Sequence, residues 1–259
     1  MSSNEVICET KDNVMWISIN RPEKLNALNT NVRLSIIKCL KEAEADQEVR
    51  VIVIKGVGKA FSAGADINDL RALSELSEEE IIKIRKDTGV SSIGSVIRNL
   101  SKPVIALVHG YCLGGGFELI QFCDLVYATE DAIFGQPEIN IGIIPGGGGT
   151  QNLPRLMGEK KAKELIFTGK RISAKEAYEL GIINNIFHNL NEMENEVLKI
   201  INEIKAKSPK AIAAAKRAIN ITYEKPLSEG LKIERRLLAK VLKTNEAKQL
   251  MDSFIKKSK

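Results

Sequence analysis

The chain has 259 residues, of which 44% are hydrophobic and 27% charged, with a formal net charge of +5. That is enough sequence for a sizeable core in one large domain or two small ones, and the balance is ordinary for a globular enzyme. The mild basic excess is spread along the chain, which suits anionic or phosphorylated ligands and is far from the basic arm of a nucleic-acid binder.

Four cysteines, Cys8, Cys39, Cys112 and Cys123, show no CxxC spacing and sit within apolar patterns. They read as buried thiols in a reducing compartment, neither a disulfide frame nor a metal site. Two histidines, His109 and His188, are too few for a His-rich zinc site, and each reads as structural. The N-terminal stretch MSSNEVICETKDN lacks the apolar segment of a signal peptide. No apolar run approaches the roughly 20 residues of a membrane span. The expectation is a cytoplasmic protein with no membrane contact.

In chain order, Val14 to Ile19 (VMWISI) has the β-branched and aromatic content of a strand, closed by Asn20-Arg21-Pro22. Thr30 is the expected cap of a helix carrying Val32, Ile36, Leu40 and Ala43 on one face. Val51 to Ile54 is apolar throughout, as in a strand buried on both faces. After Gly56 and Gly58, the small residues of Ala60-Phe61-Ser62-Ala63-Gly64-Ala65-Asp66-Ile67 leave room for a ligand against the backbone. Ser77-Glu78-Glu79-Glu80 is a capping box that opens a helix reaching about Leu100, with Gly89 as a possible break.

Next comes an apolar run, Val104 to Val108, then the glycines Gly114, Gly115 and Gly116 and a short helical pattern with Glu118 in its first turn. A second apolar run, Leu125 to Ala128, precedes an acid at Glu138 and the tract Gly146 to Gly149. Beyond it, a helix over Glu159 to Phe167 stops at Gly169, and Ser173 opens a second capping box whose short helix ends at Gly181. Ile182 to Phe187 is the last strand candidate. Residues 191–207, 210–222, 227–243 and 245–256 read as helices, punctuated by Pro209, Pro226 and Thr244. Amphipathic helices without a sheet to cover must pack on themselves or on another subunit.

Neither glycine tract is a nucleotide fingerprint. Leu119 stands where the last glycine of GxGxxG belongs, and no GK[ST] follows Gly149. Taken alone, both tracts are ordinary loop punctuation. Three glycines entering a helix directly before an acid are less common, because exposed amides at that point can face a developing negative charge. Glu118 and Glu138 both lie among apolar neighbours, where burial raises a carboxyl pKa towards a useful range. Together, beside glycine-supplied amides, they form a plausible acid/base pair. Ser62 has no GxSxG frame, so serine-hydrolase chemistry is not supported.

INRPEKLNALN, AFSAGADI, GYCLGGGFE and FGQPEINIGIIPGGGGTQ, in this order and spacing, resemble the enoyl-CoA hydratase (crotonase) family over nearly the whole chain. The resemblance implies an α/β fold: a spiral of ββα units over residues 1–190, holding CoA and the catalytic site, and a helical trimerisation region over 191–259. It also implies a homo-trimer or hexamer and reversible syn hydration of trans-2-enoyl-CoA. On this reading Glu118 and Glu138 are the catalytic acids, and the amides of Ala65 and Gly115 form the oxyanion hole. Ala63, Ala65, Asp66, Ile67, Asn68, Gly115 and Gly146 line the substrate, with the Gly146 amide helping to hold water. No metal or separate cofactor is implied, since CoA is part of the substrate. An isomerase using one acid is the alternative within the family. RNA binding through Lys205, Lys207, Lys210, Lys216 and Arg217 is a lesser one, against the plain reading of these side chains as a solvated helix surface.

Overall fold

The computed structural model describes residues 5–257; residues 1–4 of the polar N-terminal stretch and 258–259 lie outside it. Among the described residues a six-stranded sheet runs in the order β1 (Val6–Lys11), β2 (Val14–Ile19), β3 (Val51–Gly56), β5 (Val104–Val108), β7 (Leu125–Thr129), β10 (Asn185–Phe187). Only the β1–β2 pairing is antiparallel. A four-stranded sheet runs β4 (Ala60–Ser62), β6 (Tyr111–Leu113), β8 (Ile133–Gly135), β9 (Arg171–Ser173), parallel except for β8–β9.

The chain visits the two sheets alternately. β3, β5 and β7 lie in the large sheet, and each is followed by a short strand, β4, β6 and β8, in the small one. The segment after each short strand leads back to the next turn: α2 (Ile67–Leu73), α3 (Glu78–Thr88) and α4 (Val90–Asn99) after β4, and α5 (Gly115–Ile120) after β6. After β8 come a 3-10 turn over Pro137–Ile141, α6 (Gly149–Met157) and α7 (Glu159–Thr168). This is the expected spiral of ββα units.

Apolar runs in β3 and β5 arise because both faces of the large sheet are covered. Ile52, Ile54, Val104, Ala106 and Val108 point into the main core with Val32, Ile36 and Leu40 of α1 (Thr30–Ala45) and Ile93 and Ile97 of α4. Val51, Val53, Ile105 and Leu107 point the other way, onto Met193, Val197 and Ile201 of α9 (Leu190–Lys205). The expectation that no helix after residue 190 covers a sheet therefore fails for α9. α8 (Ala174–Glu179) follows the Ser173 capping box as expected. The last helices are α10 (Pro209–Asn220), α11 (Leu227–Leu242) and α12 (Asn245–Lys257). α11 buries none of its residues, and Leu227, Leu238 and Phe254 stay 79%, 57% and 73% exposed.

Four local readings change. The cap of α1 is Asn29, whose side chain accepts from the Val32 N–H, and Thr30 instead bonds Asp69. β1 lies in a stretch whose outward residues Glu9, Thr10 and Lys11 are exposed, as in an edge strand. Cys8 of β1 and Cys39 of α1 are joined by a disulfide, which corrects the reading of four free thiols; Cys112 and Cys123 are free. Lys216 is buried against Asp124 at 2.7 Å, so the lysines of α10 do not form one continuous basic face. No helix is long and apolar enough to cross a membrane among the described residues.

Candidate active site

Three neighbouring strands of the small sheet end at one place. β4, β6 and β8 run parallel, and the segments leaving their carboxyl ends carry Ala65, then Gly115 and Glu118, then Glu138. In open α/β sheets this end of the strands is where ligands bind.

After β4, Gly64 turns the chain at φ +105°, a conformation that favours glycine, and a Cβ there would lie 2.9 Å from the Leu113 carbonyl. Ser62, buried, fixes the turn: its hydroxyl donates to the Asn26 carbonyl at 2.8 Å and accepts from the Gly64 N–H at 3.2 Å. Asn26 is itself buried and donates to the Val57 and Ala60 carbonyls. Ala65 forms a one-residue parallel bridge with Leu28, made by the Gly64 carbonyl and the Asp66 N–H. Such a bridge leaves the N–H of Ala65 itself outside the ladder. Gly115, the first residue of α5, lies directly opposite, since a Cβ on it would sit 3.5 Å from the Ala65 nitrogen. The backbones of Ala65 and Gly115, whose amides the resemblance assigns to an oxyanion hole, thus lie side by side.

Each glutamate occupies space that a glycine leaves empty. Glu118 is 3% exposed; its Oε1 accepts from the N–H of Gly147 at 2.7 Å and of Gly149 at 2.9 Å. Burial pushes its carboxyl above the ordinary range, while these amides and the charge of Arg85 pull it back towards ionisation. Glu138 packs on Gly114, where a Cβ would lie 3.0 Å from its Oε1. That oxygen accepts from Gln136 Nε2 at 2.9 Å, and Oε2 is buried with no hydrogen-bond partner among the described residues. Burial, and next the charge of Glu118, raise the Glu138 carboxyl to about 7. The two acids differ in kind: one is held by amides, the other is half-protonated near neutral pH.

Ala65, Gly115, Glu118, Glu138 and Gly146 line one cavity of about 260 Å³. A larger open groove of about 720 Å³, between the β1–β3 face and α9, contains neither glutamate. Other predicted residues stand apart from the cavity. The Asp66 side chain caps α2 through the Asn68 N–H at 3.0 Å and pairs with Arg21 at 3.1 Å. Ile67 and Asn68 are exposed on the first turn of α2, and the Ala63 N–H is spent on the Leu25 carbonyl. Sequence reasoning missed four participants: Gly147 and Gly149, which hold Glu118, and Arg33 and Arg85, which line the cavity. The unbroken run of four glycines was the one available signal for the first pair.

The family model "Enoyl-CoA hydratase/isomerase" matches residues 9–259. A short-chain-enoyl-CoA hydratase of Clostridium acetobutylicum is 39% identical, over 100% of this chain and 97% of its own length. A crotonyl-CoA hydratase of Syntrophomonas wolfei is 36% identical, over 100% and 98%. The crystal structure of an enoyl-CoA hydratase from Thermoplasma volcanium superposes with a TM-score of 0.88 at 37% identity, covering 97% of each chain. Its likeness extends the spiral described above to a solved crotonase fold. The chain belongs to the enoyl-CoA hydratase/isomerase family.

Proposed function

We propose that the protein adds water reversibly across the C2=C3 bond of a trans-2-enoyl-CoA, giving the 3-hydroxyacyl-CoA. The observation that carries this is that a buried Glu118 and a half-buried Glu138, both with raised carboxyls, line one cavity together with Ala65 and Gly115. The thioester oxygen accepts from both amides, and as water attacks C3 the charge grows on that oxygen. The amides then bind the enolate more strongly than the ground state, and one such donor is worth about 3–4 kcal/mol of barrier. Glu118, oriented by the amides of Gly147 and Gly149, positions the water and takes its proton. The amide of Gly146, on the same wall, helps to hold that water. Glu138, half-protonated near pH 7, delivers a proton to C2. Both acids reach the alkene from one side, which gives syn addition.

The CoA moiety, part of the substrate, runs along the backbone of residues 63–68; the exposed Ile67 and Asn68 offer their surfaces there, while Asp66 holds the segment in place. No metal or further cofactor enters this scheme. Copies of the chain assemble through α11 and α12 as a trimer or a pair of trimers, covering Leu227, Leu238 and Phe254. A stable monomer at micromolar concentration in light scattering would overturn that assembly. For the chemistry, loss of the enoyl-thioester absorbance on mixing with crotonyl-CoA is the expected result. No change with 2-enoyl-CoAs of any length would sink the hydratase reading.

A further inference from the structure

Arg85 projects from α3 into the catalytic cavity. Among the described residues its guanidinium makes no hydrogen bond and no ion pair. Arg33, the other cation on the wall, is fully engaged. It donates to the carbonyls of Thr88 and Leu28 and to the Thr30 hydroxyl, and pairs with Asp69 at 3.5 Å. Arg85 is therefore the one cavity cation that no acid neutralises at contact among the described residues. The cavity lining around it is mainly apolar, with Leu70, Leu73, Ile81 and Ile144, apart from Ser74 and the two glutamates.

The place of this guanidinium along the substrate follows from its neighbours. A Cβ on Gly146 would lie 3.4 Å from Arg85 Nη2, and the next residue, Gly147, holds Glu118. On the hydratase reading, Glu118 stands at C3 and the Ala65/Gly115 amides at C1, so Arg85, beside the Gly146–Gly147 segment that holds Glu118, belongs to the C3 side of the acyl group. An alkyl tail filling that space would strip water from a guanidinium and give it no partner, which is unfavourable. A carboxylate there would meet a planar fork able to bind it through two hydrogen bonds. Glu118 feels the charge of Arg85, but no hydrogen bond or ion pair joins the two, and its Oε1 accepts from two amides.

We infer that Arg85 receives a carboxylate at the distal end of the acyl chain, so that the preferred substrate is a short 2-enoyl-CoA ending in an acid. This rests on the hydratase reading and leaves its chemistry unchanged: water supplies H to C2 and OH to C3, and the distal carboxylate is not consumed.

The test compares 4-carboxybut-2-enoyl-CoA with 2-pentenoyl-CoA, which has the same chain length and a methyl end. The wild-type protein is expected to favour the acid-ended substrate in kcat/KM by about tenfold or more, the range of one charge-assisted pair. Arg85→Leu should collapse that ratio, mainly by raising KM for the acid-ended substrate, and Arg85→Lys should restore part of it. Should Arg85→Leu be inactive on both, calorimetry decides without catalysis: the wild type binds 4-carboxybutanoyl-CoA more tightly than pentanoyl-CoA. No wild-type preference in either assay overturns the inference while leaving the hydratase reading intact. An equal fall on both substrates in Arg85→Leu, with the ratio kept, also overturns it and assigns Arg85 to Glu118. Failure to hydrate any enoyl-CoA removes the hydratase reading and this inference together.

Discussion

Glu118 fills the space beside Gly147 that a side chain would need: a Cβ there would lie 2.3 Å from Glu118 Oε2, and the Gly147 N–H reaches Oε1 at 2.7 Å. The glycine thus supplies both a hydrogen bond and the vacancy that lets the acid come close enough to receive it. Gly147→Ala should displace Glu118 and, through the Val90 Cβ at 2.8 Å, strain the core by about 1–3 kcal/mol. Activity should fall at least about 100-fold, in line with loss of a general base. Gly146→Ala, which meets only the flexible end of Arg85 at 3.4 Å, should change stability by less than about 0.5 kcal/mol. Chemical denaturation of the two variants side by side checks the contrast.

The division of labour between the acids is open to exchange measurements. Glu118→Gln and Glu138→Gln should each lower kcat by roughly 10²–10⁴-fold, and the double variant by much less than the product of the two. Glu118→Gln should still exchange the hydrogen next to the thioester with solvent, because that step needs Glu138 and no activated water. Glu138→Gln should lose the exchange. Wild-type hydration by Glu118→Gln would instead favour an isomerase that works with one acid.

Titration of the pair sets two limits on activity. On the proposed mechanism Glu138 must carry its proton and Glu118 its charge, so kcat/KM should decline as pH rises beyond about 7. Glu118 must be charged, and its raised carboxyl sets the acid limb, at a pH above the ordinary glutamate value. The two limbs belong to the coupled pair. A bell-shaped profile whose alkaline limb vanishes in the residual activity of Glu138→Gln is the expected record.

Stability moves in a defined direction with the same group. Glu138 has its carboxyl raised from 4.5 to about 7 in the fold, so between these values the native state binds more protons than the unfolded chain. Stability therefore falls as pH rises through this window, and the cost is complete above it. Glu138→Gln should be more stable than the wild type at pH 8, by about 1–3 kcal/mol, and no different at pH 4. Urea unfolding at the two pH values measures this, and a variant equally stabilised at both would show that protonation is not the cause.

The Cys8–Cys39 disulfide closes a loop of 31 residues between the edge strand β1 and α1. A crosslink of that span contributes about 3–4 kcal/mol, which for a chain of this size corresponds to a Tm change on the order of 10 °C. Reductant and Cys8→Ser should each lower Tm by a similar amount, and reductant should do nothing further to the variant. Catalysis in the folded protein should persist, because neither cysteine touches the cavity.

Much of this was legible before any coordinates. Long apolar runs announced β2, β3 and β5, and the Ser77 and Ser173 capping boxes and the stops at Gly89 and Gly169 are placed as read. The small sheet was hidden because its strands are three residues each, too short for an alternation to register. β1 was hidden by its polar outer side, and α9 looked unpartnered because only topology shows that the second sheet face lies open to it. Glu118 and Glu138 could be singled out as acids among apolar neighbours. Their supports could not: which glycine amide turns inward depends on a loop's path, and Arg85 sits on a helix whose other charges, Lys83 and Lys86 among them, are simply solvated or half-exposed.

Because the amides of Ala65 and Gly115 and the acid Glu138 arrive from three different strand ends, carbonyl polarisation and proton delivery are mechanically separable. Residues 136–141 form a short turn after β8 that places Glu138 on Gly114 of the β6 segment. A transplanted turn of the same length could carry its acid to another height along the acyl chain while the thioester stayed seated. On the proposed mechanism the height of proton delivery is thus a property of this turn, while water activation by Glu118 and thioester activation belong to the frame that holds it.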